Sequence, residues 1–494
     1  VPDPTTAEKL AEWRERAAPH VRLPGYERGA VTPKIAHFGV GNFFRVHAAR
    51  YLDDCLHVPG QTDWGIIGIG VLDSPQSRAK AAAYADQDGL YTVTEYAPDG
   101  AATARVIGAM IDYLYAPDDP AAVVDTLAGP NIRIVSLTLT EGGYFQDQTT
   151  GTFDAAHPDI RADVQSTAPR TAFGMIVAAL RRRRAGGVAP FTVLSCDNLR
   201  GNGDTARQAV VGYAAQIDPE LARWIDAELS FPNSMVDRIA PSVTPAIRDR
   251  VNAATGLPDA LPAIAETFSQ WVVQDRFSAG RPRLDEVGVE LRDDVALFEA
   301  VKGRILNASH MLLAYPAILA GHRLVHDAMA DPRFPLLLRR FLQLDVLPFV
   351  QGPAGLALGT YIENTLERFG NPAVGDQLLR IAADGASKIP TFHARTTELL
   401  LHNGADPIRE AFLLAAYRRS LRGVDEHGQR FDVTEPALNA ADRDLLGGTD
   451  PLDALKATPF AALRLWEQPA FIDAYLAMVD SIDDEGIDAA LRRT

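Results

Sequence analysis

The sequence predicts an α/β half over residues 1–290 followed by a mostly α-helical half over residues 291–494. Three observations carry that prediction. Short apolar runs alternate with stretches of helical composition in the first half, the pattern of a parallel sheet covered on both faces. Gly39-Val40-Gly41 falls between one such run and a helical stretch. Beyond about residue 290 the helical stretches continue while strand-like runs cease.

The elements follow in order. KIAHFGVGNFFRVHAARYLDDCLH (34–57) opens with a β-like run containing Ile35, His37 and Val40, breaks at the glycines, and is helical in composition over 43–57. WGIIGIGVLD (64–73) is a second β-like run ending in Asp73, and NIRIVSLTLT (131–140) and PFTVLSCDN (190–198) read as further buried strands. TAFGMIVAALRRRRAGG (171–187) is a helix whose arginines, Arg181–Arg184, are expected to form a solvated, dipole-complementing end before Gly186-Gly187. In the second half, 297–329, 333–350, 375–385, 408–423 and 471–484 read as helices.

Composition narrows the function classes. A chain of 494 residues exceeds one ordinary domain. Its 48 basic and 64 acidic residues leave a net charge of −16, against broad electrostatic binding to nucleic acid or anionic membranes. Only six of the basic residues are lysines, at 9, 34, 80, 302, 388 and 456. Lysine is the basic side chain that releases its proton within reach of neutral pH, so lysine-dependent chemistry has few places to reside. Cys55 and Cys196 build no disulfide framework and no Cys-x-x-Cys pair exists. The polar N-terminus does not resemble a signal peptide, and no run of about 18 apolar residues occurs. A cytoplasmic, soluble protein is expected.

Gly39 and Gly41 stand where a Rossmann-type fold cradles a diphosphate, although a bare tight turn explains them equally well. Phe44 replaces the third glycine of the usual fingerprint. Asp73 lies where an acid accepts hydrogen bonds from ribose hydroxyls and repels a 2′-phosphate, which favours NAD over NADP; an ordinary loop acid is the competing reading. Lys302, Asn307 and His310 lie in one apolar helical segment. Spacings of five and eight put Asn307 about 140° and His310 about 80° from Lys302 on an ideal α-helix. Their convergence therefore requires a bend or a helix start. A desolvated lysine has its pKa drawn from ~10.4 towards ~7–8 and becomes a base for alcohol oxidation. A snorkelling lysine among core polar groups is the competing reading. Tyr-x-x-x-Lys is absent, since Thr5, Ala30, Gln76, Phe298, Asp384 and Leu452 precede the lysines by four. His322 and His326, with Asp327 beside them, have metal-ligand spacing but also suit neighbours on one helix face.

Several longer segments are similar to the polyol-specific long-chain dehydrogenases. They are GVGNFFRVHAARYLDD (39–54), QDGLYTVTEY (87–96), IVSLTLTEGGY (134–144), LSCDNLRGNG (194–203), FPNSMVDRIAP (231–241), VKGRILNASH (301–310) and RFGNPAVGDQLLRIAADGASKIPTF (368–392). One departure is Phe44, where relatives commonly carry histidine, and a small packing change is expected from it. The resemblance implies a Rossmann-type NAD-binding domain with a helical substrate-binding domain, in a metal-free monomer. It implies Lys302 as general base, Asn198 and Asn307 as the oxyanion site, His310 fixing the substrate alcohol, and Glu299 linking the lysine to solvent. Asp237, Arg380 and Lys388 match polyol-binding positions, and Gly39, Gly41, Asn42, Phe43 and Asp73 the cofactor site. The implied reaction is reversible hydride transfer between NAD and a linear polyol, with D-mannitol and D-fructose as the preferred pair. D-arabinitol, D-sorbitol, and the uronates fructuronate and tagaturonate are the alternatives within the family.

Overall fold

The computed structural model describes residues 5–147 and 151–494, and the chain divides into two compact units. One comprises residues 1–97 and 101–296, the other 98–100 and 297–494. At the centre of the first is a five-stranded, wholly parallel sheet. Its strands run Met110–Tyr115, Gly65–Gly70, Pro33–Phe38, Ile134–Leu137, Thr192–Ser195 across the sheet. Successive residues enter opposite cores: Ala36, Phe38, Ile67, Ile69, Val135 and Leu137 pack on one face, Ile35, Ile66, Ile134 and Leu194 on the other. Burial on both faces is why these strands read as continuous apolar runs.

The covering helices begin where the local chemistry dictates. Ser74, Asp119, Asp218 and Thr244 each accept a backbone N–H at a helix start, and each is followed by a proline at the first helical position. The expected helix over 43–57 is two pieces, Asn42–Val46 and Ala48–Leu56, broken at His47. The arginine run departs from expectation at one residue. Arg181, Arg182 and Arg184 are exposed, but Arg183 is only 2% exposed. Its guanidinium donates to the carbonyls of Leu127 (2.8 Å), Ala189 (2.5 Å), Ile132 (2.6 Å) and Gly129, and lies over the Phe191 ring. Burial pushes its pKa down to about 10. Arg183 is thus a latch between its helix and the 127–132 turn, because the fork finds three carbonyls there and a fourth at Ala189.

Two further sheets belong to this unit. A four-stranded mixed sheet runs Val21–Arg22, Ala102–Ile107, Tyr91–Tyr96, Ala263–Glu266, and a three-stranded one runs Glu290–Leu291, Gln270–Val273, Ser234–Asp237.

The second unit is built around Ala308–Leu319, a helix in which every residue is buried. A helix apolar on all sides must be surrounded, and Arg333–Arg340, Leu378–Ala382, Gly385–His402 and Ile408–Ser420 pack against it. Among the described residues beyond 300 no strand forms, and β pairing is confined to isolated bridges such as Leu324 with Gln377. None of these helices, nor any other described, is long and apolar enough to cross a membrane. A buried ion pair ties the unit together. Arg409 grips Asp345 through two contacts of 2.6 Å and donates to the Thr494 carbonyl at 2.9 Å.

Burial pushes the Asp345 carboxyl up to about 6, against the pull of Arg409 and with Glu410 and Asp406 adding to the rise. A buried carboxyl with a raised pKa contributes most to stability while protonated, and that contribution is lost as pH climbs through the folded value. Arg409→Met removes the compensating charge. It is expected to cost about 3–5 kcal/mol at pH 8 and distinctly less at pH 5, read by guanidinium unfolding.

Candidate active site

The first unit presents the glycine turn at the carboxyl end of Pro33–Phe38, beside Ile134–Leu137, where the strand order reverses. Gly39 has φ +89°, and a Cβ there would lie 2.0 Å from the Thr138 carbonyl oxygen. Only glycine fits. Gly41 differs: its φ is −90° and the nearest atom to an added Cβ is 3.7 Å away. Among the described residues, nothing requires glycine at 41. The open space it leaves, at the start of Asn42–Val46 where no side chain caps the N–H groups, suits a diphosphate approaching the backbone.

Beneath the turn, Phe44 is buried and stacks on His37 with ring centroids 3.4 Å apart. His37 bonds to Ser136 Oγ (2.8 Å) and Thr138 Oγ1 (2.9 Å), and burial lowers its pKa to about 3, so the ring is neutral. The packing expected to change at Phe44 is therefore an aromatic stack. Asn42 Oδ1 accepts from Arg45 at 2.6 Å. Asp73 lies three residues beyond Gly65–Gly70, with its side chain 70% exposed and Arg78 3.7 Å away. Arg78 is itself held by Asp118 at 2.6 Å.

Asn198 follows Thr192–Ser195 and is exposed, while its neighbour Asp197 is buried. The Asp197 carboxylate accepts from the N–H groups of Leu139 and Thr140, both at 2.9 Å, and from the Tyr144 hydroxyl at 2.6 Å. Thr140 has φ +62°, a strained conformation for a β-branched residue, and Asp197 pins it. Asn202 donates to the Asp197 carbonyl (3.0 Å) and the Ser234 carbonyl (2.8 Å). The Asn198 loop is thereby tied to Ser234–Asp237, at whose end Asp237 is buried.

In the second unit, Glu299, Lys302, Asn307 and His310 occupy one continuous rod. It runs α-helical over Val295–Lys302, π-helical over Gly303–Asn307, then α-helical again from Ala308. The Ala308 N–H bonds back to the Gly303 carbonyl, five residues earlier. An i→i+5 turn returns the fifth residue close to the azimuth of the first, so Asn307 comes round towards Lys302. Lys302 and His310 are each 8% exposed, and His310 stacks on Phe369 at 3.9 Å. Burial works to raise the Asp376 pKa, but the charge and hydrogen bonds of Arg380, with His310 nearby, hold it below the usual value. Asp376 receives Arg380 at 2.9 and 2.7 Å. Lys388 donates to the carbonyls of Ala383 (2.7 Å) and Ile381 (3.3 Å), behind the short helix that carries Arg380. Asp376 thus holds Arg380, and Lys388 is held by the carbonyls of the same short helix and its end.

Sequence reasoning missed Asp197, Asp376 and His37. Asp376 was detectable, since an acid four residues before Arg380 is a familiar pairing. His322 and His326 do not converge: His322 faces Asp331 at 3.5 Å and His326 faces Asp327 at 3.3 Å. No group of three metal-ligating side chains gathers among the described residues.

Comparison with known proteins gives consistent matches. Residues 33–286 match the family profile described as mannitol dehydrogenase Rossmann domain, and residues 294–483 that of the mannitol dehydrogenase C-terminal domain. A protein of Gluconobacter oxydans (strain 621H) named polyol:NADP oxidoreductase is 46% identical, over 96% of this chain and 97% of its own. A ternary complex of Pseudomonas fluorescens mannitol 2-dehydrogenase with NAD and D-mannitol superposes with a TM-score of 0.91, at 38% identity and 98% coverage of both chains. A D-sorbitol dehydrogenase in substrate-free form gives a TM-score of 0.85 at 44% identity, covering 96% of this chain and 98% of that one.

The two glycines of the turn are expected to behave differently. Gly39→Ala drives a methyl group into the Thr138 carbonyl and should cost on the order of 3 kcal/mol. Gly41→Ala should stay within about 1 kcal/mol of the parent protein. Chemical denaturation of both variants checks the contrast.

Proposed function

The chain belongs to the mannitol dehydrogenase family, and on that premise we propose that it oxidises a secondary alcohol of a linear polyol to a ketose. D-Mannitol and D-fructose are the preferred pair and NAD the hydride acceptor. The observation that carries this reading is the π turn between Lys302 and Asn307, which supplies a base and an amide donor from one rod. An amine taken out of water favours its uncharged form, the form that accepts a proton. Lys302 takes the hydroxyl proton. Asn198 and Asn307 donate to the oxygen as it becomes a carbonyl, each worth roughly 3–4 kcal/mol in the transition state. His310 holds the reacting hydroxyl, and Glu299 relays the proton from Lys302 towards solvent. Asp237, Arg380 and Lys388 bind hydroxyls away from the reacting carbon. Gly39, Gly41, Asn42 and Phe43 hold the cofactor diphosphate and Asp73 its ribose. NAD, when bound, accepts the hydride released by the carbinol carbon.

The choice of NAD rests on Asp73. Its carboxylate accepts ribose hydroxyls and repels a 2′-phosphate. The relative named for NADP makes this the point of the reading most open to test.

Two outcomes are expected. Lys302→Ala lowers kcat about 10³-fold with NADH binding retained, whereas near-normal turnover would remove Lys302 as the base. Asp73→Ala raises kcat/KM with NADP about 10-fold or more, since one repulsion of about 1–4 kcal/mol is lifted. A panel of polyols, ketoses and uronates, followed through reduced nicotinamide, tests the substrate; activity on uronates without fructose reduction overturns D-mannitol.

A further inference from the structure

Of the six lysines in the chain, Lys80 has no part in the reading above. It lies on Pro75–Asp86, the helix that follows Asp73, and its ammonium donates to the main-chain carbonyl of Val40. Val40 is the middle residue of the Gly39–Gly41 turn. Lys80 is half-buried, and no carboxylate lies within ion-pair distance of it among the described residues. Every other charge it meets is unhelpful. Arg45, from the helix after the turn, repels it; His37, from the strand before the turn, is buried and neutral. On its own helix, Arg78 is committed to Asp118, and Tyr84 is buried with its hydroxyl held in the protonated form.

Withdrawing an ammonium from water without a counter-ion is costly, and a group so placed either loses its proton or awaits an anion. Burial, with Arg45 adding to it, pulls the Lys80 pKa down to about 8. The glycine turn offers room for such an anion: Gly41 leaves open the space that a side chain would fill. A diphosphate entering that space supplies the counter-charge that no carboxylate provides.

We propose that Lys80 is a proton-linked cation of the dinucleotide site, ammonium when the diphosphate of NAD(H) is bound at the Gly39–Gly41 turn and partly deprotonated when it is not. This inference rests on the dinucleotide reading of the turn and adds a residue and a pH dependence to it. Binding raises the affinity of Lys80 for its proton, so by linkage nucleotide affinity must fall as pH rises past the free-enzyme value. Arginine at the same position keeps its charge and breaks that link.

The test measures the Kd of NADH by nucleotide fluorescence or calorimetry from pH 6.5 to 9.5, without polyol or turnover. The parent protein should lose affinity steadily above about pH 8, approaching tenfold per unit. K80M should bind about 10-fold or more weakly at pH 7 and respond little to pH. K80R should bind near the parent level at pH 7 and stay flat. The proposal is overturned if K80M matches the parent at pH 7, or if K80R, which carries the test should K80M fold poorly, keeps the parent slope. A parent protein that binds neither NADH nor NADPH overturns the dinucleotide reading and this one together. Binding that is intact but independent of pH overturns the Lys80 link alone.

Discussion

The nucleotide face of the first unit depends on how closely two strand ends meet. Pro33–Phe38 and Ile134–Leu137 are adjacent at the point where the sheet order reverses, and just beyond them Gly39 passes Thr138 with no room for a Cβ. Thr138 Oγ1 donates to the Gly39 carbonyl at 2.5 Å, and His37 holds both Ser136 and Thr138 from below. Such a reversal leaves a crevice at the carboxyl ends of parallel strands, which is where open α/β sheets take their ligands. The other devices of this edge follow from that approach. Phe44 stacks on the buried His37, Asp197 draws in Leu139 and Thr140, and Lys80 reaches the turn from Pro75–Asp86.

What could be read from the sequence was local. The apolar strands, the glycine turn and the helical second half each announce themselves within a window of a dozen residues. The misread features depend on partners distant in sequence. Arg183 sits in a run of four arginines that local reasoning assigns to solvent, yet its acceptors come from the 127–132 turn. His37 carries no local signal, because its partners lie at 136 and 138. The two smaller sheets were unreadable for the same reason: Tyr91–Tyr96 pairs in parallel with Ala263–Glu266, a partnership that no short window contains.

The candidate site was legible as a list and illegible as geometry. Spacings of five and eight name Lys302, Asn307 and His310 but, on an ideal helix, scatter them. The π turn of Gly303–Asn307 changes that scatter, and no feature of composition marks it. Such a turn is costly to maintain unless its neighbours hold it. Arg304, within the turn, donates to Thr396 Oγ1 (3.2 Å) and the Phe349 carbonyl (2.7 Å). His393 meets the Ala308 carbonyl at 3.0 Å and Glu410 at 2.9 Å. The distortion is therefore specified by the surrounding helices, which is why sequence along one helix does not reveal it.

The use of lysine and arginine follows the same division between structure and chemistry. Arg183, Arg238 and Arg409 are buried, and each guanidinium is satisfied by several carbonyls or carboxylates. Those positions need a charge that never leaves, and a guanidinium does not deprotonate in a protein. Lys9, Lys34 and Lys456 form pairs with carboxylates, a task arginine would do as well. Lys80 and Lys388 instead donate to main-chain carbonyls, and Lys302 leads into the π turn. For Lys80 the holder is a neutral carbonyl, and burial draws its pKa down to about 8. In a chain of net charge −16, an anionic cofactor gains nothing from the protein as a whole. Its attraction has to be local, at groups such as Lys80 beside the glycine turn.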